Sequence, residues 1–322
     1  MHVSWSSGEP VVEWRDLRGL RFDDPSFAST VDRAVREPYR LLFGARTPID
    51  ELGAVAAIAP TVPPTGFVFH ASRCGSTLIA NMLGTLDDTI VAAEPPAVDG
   101  VLRADLLGRV DDETRRRWLG WTVSGLGQPR VGGERRFFVK FDAWSTRDIA
   151  LVRSVYPDVP SIFVYRHPAE IVASHMRMRG AHMVPGMLPA GLFGLDPASL
   201  ADLPAEDYCA KVLASILAAA GGRDPGGCLL VHYDQLPAVV SDGILDHFAV
   251  DPSDAERARM REAARLDAKN PSLAFDPTEP GRVWPVTPRI RAVADRWAGV
   301  PYARLEELRA AGAPGAAGAA GR

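Results

Sequence analysis

The sequence predicts an α/β fold in which a parallel β-sheet is flanked by helices within a single domain. Short apolar runs alternate with helical segments through the middle of the chain, which is typical of a parallel sheet with crossover helices. The length of 322 residues is enough for one large domain with a substantial core. Arginine-containing turns follow two of the apolar runs, and ligands of such sheets collect at the carboxyl ends of strands.

The chain divides into parts that follow from composition and periodicity. We expect an N-terminal helical extension over 1–60, the α/β core over 61–275, a C-terminal helical segment over 276–310 and a disordered Ala/Gly tail over 311–322. In the extension, an Asp-capped helix is predicted over 24–35. Predicted core strands are 67–70, 90–92, 137–140, 162–165 and 228–232. Predicted core helices begin at 75 and 168, with others near 98–107, 113–126, 147–155, 206–220 and 236–249. The glycine-rich stretch 179–204 is predicted to be a functional lid or selecting loop, with plain disorder as the alternative.

The most informative stretch is a buried strand, a tight turn and an apolar helix over residues 67–83. The turn carries Arg73, Cys74, Gly75, Ser76 and Thr77. A helix N-terminus offers unpaired N–H donors and a positive dipole end, so an anion belongs at this turn. The alternative is that the two hydroxyls merely cap the helix and that Arg73 is a surface charge.

The turn differs from the nucleoside-triphosphate loop G-x-x-x-x-G-K-[ST]. Ser76 stands where the lysine belongs, and the positive charge has moved to Arg73. A γ-phosphate with Mg²⁺ needs that lysine. The sequence therefore predicts a P-loop-type sheet whose loop accepts a less charged transferable group, such as a sulfuryl group, without a metal.

A second candidate anion site follows the predicted strand 162–165. Arg166 comes directly after the strand, Pro168 suits the first turn of a helix, and Ser174 lies about two turns into that helix. A guanidinium and a hydroxyl in this arrangement can hold one phosphate, at about 1.5–3 kcal/mol for each charge-assisted hydrogen bond. Taken singly, Arg166 would pair with Glu170, and Ser174 would bond its own backbone. Together with the first loop on the same sheet, the pair favours a phosphate site.

With both motifs in view, the chain resembles the sulfotransferases that use 3′-phosphoadenosine-5′-phosphosulfate (PAPS). Ser72-Arg-Cys-Gly-Ser-Thr77 resembles the family's 5′-phosphosulfate loop, closest to the form found in tyrosylprotein sulfotransferases. The segment from Arg166 to Ser174 resembles the 3′-phosphate motif, with the same eight-residue spacing. Val231-His-Tyr-Asp-Gln-Leu236 is similar to the segment that usually follows. The resemblance covers about residues 66–249 and implies a sulfotransferase-like fold, PAPS as donor, 3′,5′-ADP (PAP) as product and no metal.

The resemblance also implies a general base, for which two carboxyl groups compete. Small-molecule members carry a catalytic histidine in a Lys-Thr-His strand end, where this chain has Lys140-Phe-Asp142. The tyrosylprotein-like branch takes its base from a glutamate shortly after the strand that follows the first helix, and Glu94 stands there. The following Pro-Pro pair restricts where Glu94 points. We predict Glu94 as the base and Asp142 as second choice. The alternative for Glu94 is a carboxylate in the first turn of the next helix.

Two lysines are further site candidates, and the family resemblance suggests the second of them. Lys140 is predicted to add positive charge to the catalytic group, or else to reach solvent from the strand end. Lys269 falls where family members often place a basic loop over the 3′-phosphate; a solvated surface lysine is the alternative. The predicted donor-binding residues are Arg73, Cys74, Gly75, Ser76, Thr77, Arg166, Ser174, Tyr233 and Lys269. The predicted catalytic residues are Glu94, Arg73, Asp142 and Lys140.

Composition narrows the classes of partner and location. The net charge of −4 argues against nucleic acid. The three cysteines Cys74, Cys209 and Cys228 indicate a reducing compartment rather than a disulfide framework, and Cys74 is expected to pack in the interior. The seven histidines lack paired ligand spacing, so no metal is predicted. The N-terminus lacks a secretory pattern and no stretch is long and apolar enough to span a bilayer, so we expect a cytoplasmic protein without membrane insertion.

The partner expected from this chemistry is a hydroxylated acceptor, a small molecule in preference to a protein, and oligomerisation stays open. Two rival functions are left. One is an ATP- and Mg²⁺-dependent P-loop kinase or phosphotransferase, against which the missing lysine argues. The other is a nucleotide-binding protein without catalysis, against which the presence of Glu94 argues.

Overall fold

The computed structural model describes residues 1–6, 9–42, 44–108, 110–200, 203–222, 227–275 and 285–312. The strands are β1 (His2–Ser6), β2 (Glu9–Trp14), β3 (Ala45–Pro48), β4 (Gly66–His70), β5 (Thr89–Ala93), β6 (Arg136–Lys140), β7 (Ser161–Tyr165) and β8 (Cys228–His232). The helices are α1 (Phe27–Ala34), α2 (Pro38–Leu42), α3 (Glu51–Ile58), α4 (Ser76–Gly84), α5 (Pro96–Leu102), α6 (Ala104–Gly108), α7 (Asp112–Leu126), α8 (Ile149–Val155), α9 (Pro168–Arg177), α10 (Ala205–Ala220), α11 (Leu245–His247), α12 (Asp254–Ala263) and α13 (Pro288–Ala311).

A five-stranded parallel sheet forms the centre of the domain. Its strands run in the order β5-β6-β4-β7-β8, and every neighbouring pair is parallel. Val68 in the middle of β4 lies beside Lys140 on one side and Ile162 on the other. All five residues of β4, β5 and β7 are buried, as expected for strands covered on both faces. The predicted parallel sheet flanked by helices is therefore confirmed.

Alternate side chains of β4 divide the interior into two apolar clusters. Phe67 and Phe69 belong to the larger cluster, which also takes in residues of α7, α9 and α10. Phe69 stacks on Phe141, with ring centroids 4.4 Å apart. Val68 faces the smaller cluster, together with Ile79 of α4. This packing fixes the carboxyl ends of β4 to β8, where the candidate site residues begin.

The N-terminal extension is not the helical unit that the sequence predicts. Besides α1, α2 and α3 it contains a three-stranded antiparallel sheet in the order β1-β2-β3. The strands are short, and their inward-facing valines, Val3 and Val12, join the main core cluster. Ser26, not Asp24, caps α1; Asp24 instead accepts hydrogen bonds from Arg33. The sequence missed these strands because two or three alternating positions are a weak signal.

Several predicted core helices are divided or shortened. The segment 98–107 forms α5 and α6, and residues 143–148 form a 3₁₀ turn ahead of α8. The segment 236–249 holds a π-helical turn, Val240–Ile244, followed by α11.

The described residues of the 179–204 loop are packed against the domain rather than disordered. They form three short 3₁₀ turns, Ala181–Met183, Ala190–Phe193 and Pro197–Ser199. Met183, Leu192 and Phe193 are buried in the main core cluster. Residues 201–202 of this loop lie outside the described residues, as do 276–284 of the predicted C-terminal segment and 313–322 of the predicted tail. The rest of the C-terminal segment is α13, which packs against α9 and α10.

Within the described part of the chain, no helix combines the length and apolar character needed to cross a membrane.

Candidate active site

The loop between β4 and α4 presents backbone donors at the helix N-terminus. Gly75 is the N-cap residue of α4, with φ of +87°, and no side chain caps the helix. A side chain at Gly75 would place its Cβ 2.4 Å from Leu236, so this position needs glycine for space as well as for conformation. Ser72 and Arg73 also have positive φ, at 67° and 49°, which costs about 1–3 kcal/mol for each non-glycine residue. Strain of this kind concentrates at functional sites.

The side chains of this loop divide into available and occupied groups. The hydroxyls of Ser76 and Thr77 make no hydrogen bond to any described residue, so they remain available to a ligand and do not cap the helix. The Cys74 thiol instead donates to the carbonyl of Val164 at 3.1 Å and is fully buried. Burial raises the pKa of Cys74 to about 11. The prediction that Cys74 packs in the interior agrees with this geometry, and its thiol is not placed to bind a ligand.

Arg73 leaves the loop towards the end of α9. Its Nη2 donates to the carbonyl of Met178 at 2.7 Å. Because a carbonyl is a neutral acceptor, the positive charge of Arg73 is not neutralised by this bond. Burial, followed by the charge of Arg177, lowers the pKa of Arg73.

Glu94 and Lys140 form an ion pair at the ends of the neighbouring strands β5 and β6. Lys140 Nζ donates to Glu94 Oε1, and the backbone N–H of Glu94 donates to the carbonyl of Lys140 at 2.7 Å. Lys140 is 1% exposed, so it does not reach solvent from the strand end. Glu94 has a φ of +55°, a third strained non-glycine position at this edge of the sheet, after Ser72 and Arg73. The two residues predicted from separate motifs therefore meet.

His70, at the end of β4, completes this group. Its Nδ1 accepts a hydrogen bond from the Ser72 N–H at 3.0 Å, which leaves the proton on Nε2. Nε2 lies 3.3 Å from Glu94 Oε1, although the ring N–H is not directed well enough for a hydrogen bond. Burial and the charge of Lys140 lower the pKa of His70, so the imidazole is neutral.

The two candidate bases have opposite electrostatic environments. Burial alone would raise the pKa of Glu94, but Lys140 and His70 outweigh it and hold that pKa well below its usual range. For Asp142, burial and the nearby charges of Glu94 and Asp99 raise the pKa well above its usual range. Glu94 is thus ionised, whereas Asp142 favours the protonated form. Such a divergence between neighbouring carboxyl groups is typical of a divided acid and base role.

The second predicted anion site lies on the other side of the same loop. Arg166 follows β7 directly, and its guanidinium carbon stands 4.1 Å from the centre of the Tyr233 ring. A Cβ at Gly75 would be 3.2 Å from Tyr233, so the tyrosine links the first loop to Arg166. Arg166 Nε also donates to Glu170, the pairing that the sequence left as its alternative. Ser174 lies two turns along α9, and its hydroxyl makes no hydrogen bond to a described residue.

Lys269 is exposed, in line with the solvated-lysine alternative, and its role at the 3′-phosphate stays a prediction. Desolvation, followed by the charges of Arg73 and Lys140, lowers its pKa, and the charge of Glu94 opposes this shift. The segment around it is fixed to α4, because Asn81 Nδ2 donates to the carbonyl of Ala268 at 2.8 Å. Lys269 therefore follows a residue that is held against α4.

Three histidines at this site were missed by the sequence analysis, which found only isolated ones. His70 contacts Glu94, as described above. His175 of α9 lies 3.2 Å from the Ser72 hydroxyl through Nε2, and its Nδ1 accepts from the Gly180 N–H at 3.3 Å. The His182 ring packs edge-on against the His175 ring, with centroids 5.4 Å apart. The three histidines belong to different elements, so no sequence spacing signals the cluster. Among the described residues, no three or more His, Cys, Asp or Glu side chains are arranged so that they could hold a metal ion.

No protein-family model matches the chain, and no curated protein matches its sequence. Among solved structures, the chain is similar to sulfotransferase STF1 from Mycobacterium tuberculosis, with a TM-score of 0.46 and 16% identity over 77% of this chain and 80% of that one. It is also similar to sulfotransferase STF9 from Mycobacterium avium, with a TM-score of 0.45 and 14% identity over 77% and 79% of the two chains. A sulfotransferase from Alicyclobacillus acidocaldarius gives a TM-score of 0.42 and 14% identity over 77% and 96%. All three of these solved structures are sulfotransferases.

Proposed function

We propose that this protein is a sulfotransferase of the PAPS-dependent family, which transfers a sulfuryl group from PAPS to a hydroxyl of an acceptor. One observation carries the proposal: an ionised, strained glutamate is paired with a buried lysine beside an uncapped anion-binding helix. An ATP-binding loop would instead place a lysine at position 76.

The donor set suits a doubly phosphorylated adenosine compound. Around the first loop, Arg73 and Lys140 supply positive charge, and Ser76 and Thr77 supply free hydroxyls. These groups would hold the 5′-phosphosulfate, with backbone donors at the start of α4. Arg166 and Ser174, joined to the loop through Tyr233, would hold the 3′-phosphate. PAPS supplies the sulfuryl group. The rest of the molecule leaves as PAP, which keeps the electron pair of the broken sulfur–oxygen bond.

In the proposed reaction, Glu94 removes the proton of the acceptor hydroxyl. The acceptor oxygen bonds to sulfur while the bond between sulfur and the bridging phosphate oxygen breaks. Lys140 and Arg73 stabilise the negative charge that develops on the leaving phosphate. His70 stays neutral, with its Nε2 3.3 Å from Glu94 Oε1. Asp142 is the weaker candidate for the base, since its environment favours the protonated form.

The donor class is tested by thermal unfolding in the presence of 3′,5′-ADP, 5′-AMP or MgATP. We expect selective stabilisation by 3′,5′-ADP, which at 100 times its Kd amounts to about 2.7 kcal/mol. Greater stabilisation by MgATP, with metal-dependent ATP turnover, would instead indicate a kinase. Equal and weak stabilisation by all three nucleotides would show that the protein has no specific nucleotide site and would contradict the proposal.

A matched pair of variants tests the 3′-phosphate site. Arg166→Ala is expected to raise the KM for PAPS at least tenfold with little change in kcat at saturation, because a charge-assisted hydrogen bond is worth about 1.5–3 kcal/mol. Glu170→Gln removes the competing carboxylate and is expected to keep or tighten donor binding. Steady-state kinetics, with calorimetry for PAP, measure both effects. An unchanged KM in Arg166→Ala would place the 3′-phosphate elsewhere.

A further inference from the structure

Ser72, in the anion loop between β4 and α4, is held by two histidines from different elements. Its backbone N–H donates to His70 Nδ1 at 3.0 Å, and its hydroxyl oxygen lies 3.2 Å from His175 Nε2. Ser72 and both imidazoles are buried, so water competes little for these bonds. Two bonds from outside the loop therefore fix the residue that precedes Arg73.

The hydrogen-bond partners of His175 show which of its nitrogens carries the proton. Nδ1 accepts from the Gly180 N–H at 3.3 Å, so Nδ1 carries no hydrogen. Burial lowers the pKa of His175 to about 2, so the ring is neutral and has a single N–H. That hydrogen lies on Nε2, which therefore donates to the Ser72 hydroxyl oxygen.

These contacts act on the strained part of the loop. Ser72 and Arg73 have φ of +67° and +49°, which serine and arginine adopt only where the surrounding structure imposes it. Arg73 is held as well, because its Nη2 donates to the carbonyl of Met178 at 2.7 Å. The left-handed turn that sets the direction of Arg73 is thus stabilised by His70, His175 and the Met178 carbonyl.

The support for the loop comes from one end of α9. His175 lies in the last turn of this helix, and Met178 follows its last residue. The helix packs against α10 and α13, and His175 is fully buried, so the group that holds Ser72 is itself fixed. The residue before His175 is Ser174, so the same helix carries a residue of the proposed 3′-phosphate site.

We infer that His175 is a positioning residue for the anion loop: its bond to Ser72 keeps the loop in the strained conformation before the sulfuryl donor binds. His175 acts through Ser72 and does not itself contact the donor. A loop without this bond would relax for part of the time, and the apparent Kd for a nucleotide rises as the competent fraction falls. The inference rests on the proposed function and adds a residue that shapes its donor site.

The test measures the Kd for PAP by calorimetry on the full chain, with thermal unfolding to confirm that each variant is folded. His175→Leu removes both ring hydrogen bonds and is expected to raise this Kd by roughly tenfold or more. The control is Met183→Leu, a volume-conserving change at a nearby buried residue, which is expected to keep the Kd within about twofold of wild type. An unchanged Kd in His175→Leu, or an equal rise in Met183→Leu, would overturn the inference.

Two amide variants separate the bond to Ser72 from the bond to Gly180. The side-chain amide of glutamine reaches the position of Nε2, whereas that of asparagine reaches the position of Nδ1. His175→Gln is therefore expected to recover most of the PAP affinity, and His175→Asn is expected to bind as weakly as His175→Leu. The reverse order would show that His175 only secures residue 180. Both variants keep a polar side chain at the site, so the comparison also serves where His175→Leu does not fold.

Ser72→Ala completes a double-variant cycle with His175→Leu. It removes the hydroxyl and leaves the strained backbone, so it is expected to weaken PAP binding as His175→Leu does. The double variant is expected to bind within about twofold of the weaker single variant, because both changes remove the same bond. Losses that multiply would overturn the inference. Failure of the wild type to bind PAP would contradict the proposed function itself, whereas tight binding by wild type and all variants would overturn this inference alone.

Discussion

The Glu94→Gln variant is expected to lose about 10²–10⁴-fold in kcat while its Kd for PAP stays close to that of wild type. The amide keeps the size of the side chain and a contact to Lys140, but it cannot accept the proton of the acceptor hydroxyl. The loss therefore belongs to the chemical step and not to donor binding. Steady-state kinetics at saturating PAPS, with calorimetric titration of PAP, measure the two quantities separately.

Asp142→Asn is the matched control for this prediction, because it changes the other carboxyl group in the same way. We expect a large loss of kcat in Glu94→Gln and a small one in Asp142→Asn. Near-normal turnover of Glu94→Gln combined with a large loss in Asp142→Asn would transfer the role of base to Asp142.

The Lys140→Met variant is expected to lower kcat/KM by about 10²–10³, the cost of removing one electrostatic donor from a site of developing charge. Its second effect is on pH dependence. In wild type, Lys140 helps to hold the pKa of Glu94 below its usual range, so Glu94 stays ionised at pH values where an ordinary glutamate takes up its proton. Without the ammonium, burial raises the pKa of Glu94. Activity of the variant is therefore expected to fall on acidification at a higher pH than in wild type.

Lys140→Arg is the control for charge, and it is expected to keep the acidic limb near the wild-type position. The pH profile of kcat/KM between pH 4.5 and 8 measures the shift. Profiles with the same acidic limb in wild type and Lys140→Met would show that Lys140 does not control Glu94. In the double variant with Glu94→Gln, the losses are expected to be less than additive, since the two residues act as a unit.

The parts of this site that the sequence predicted are those encoded in local patterns. The anion loop and Arg166 each follow a buried apolar run, and their spacing to Ser76 or Ser174 lies within one strand–turn–helix unit. The pairing of Glu94 with Lys140 joins residues 46 positions apart. It depends on β5 lying beside β6, and strand order is not readable from the order of the chain.

Other features of the site could not be predicted from the sequence, for different physical reasons. Whether a strand-end lysine is buried or reaches solvent depends on what covers it, so Lys140 stayed ambiguous. Positive φ at Ser72, Arg73 and Glu94 is imposed by tertiary packing, because these residue types carry no local preference strong enough to signal it. Lys269 lies in the short segment after α12, and the Asn81 side chain, 187 residues away in the chain, binds the carbonyl of the preceding Ala268, a contact that no local pattern signals.

The position of His175 has a consequence for attempts to redirect the protein to new compounds. This fully buried imidazole is held at both nitrogens, on one side by Ser72 and on the other by Gly180. If a segment from another protein replaced residues 179–204 without the glycine, the new side chain would place its Cβ 2.9 Å from His182 and 3.6 Å from His175 and so disturb the second of these bonds. The His175 ring would then also lose its contact with Ser72 of the anion loop. An exchange meant to alter substrate choice would therefore also weaken nucleotide affinity. Successful grafts must begin after residue 180.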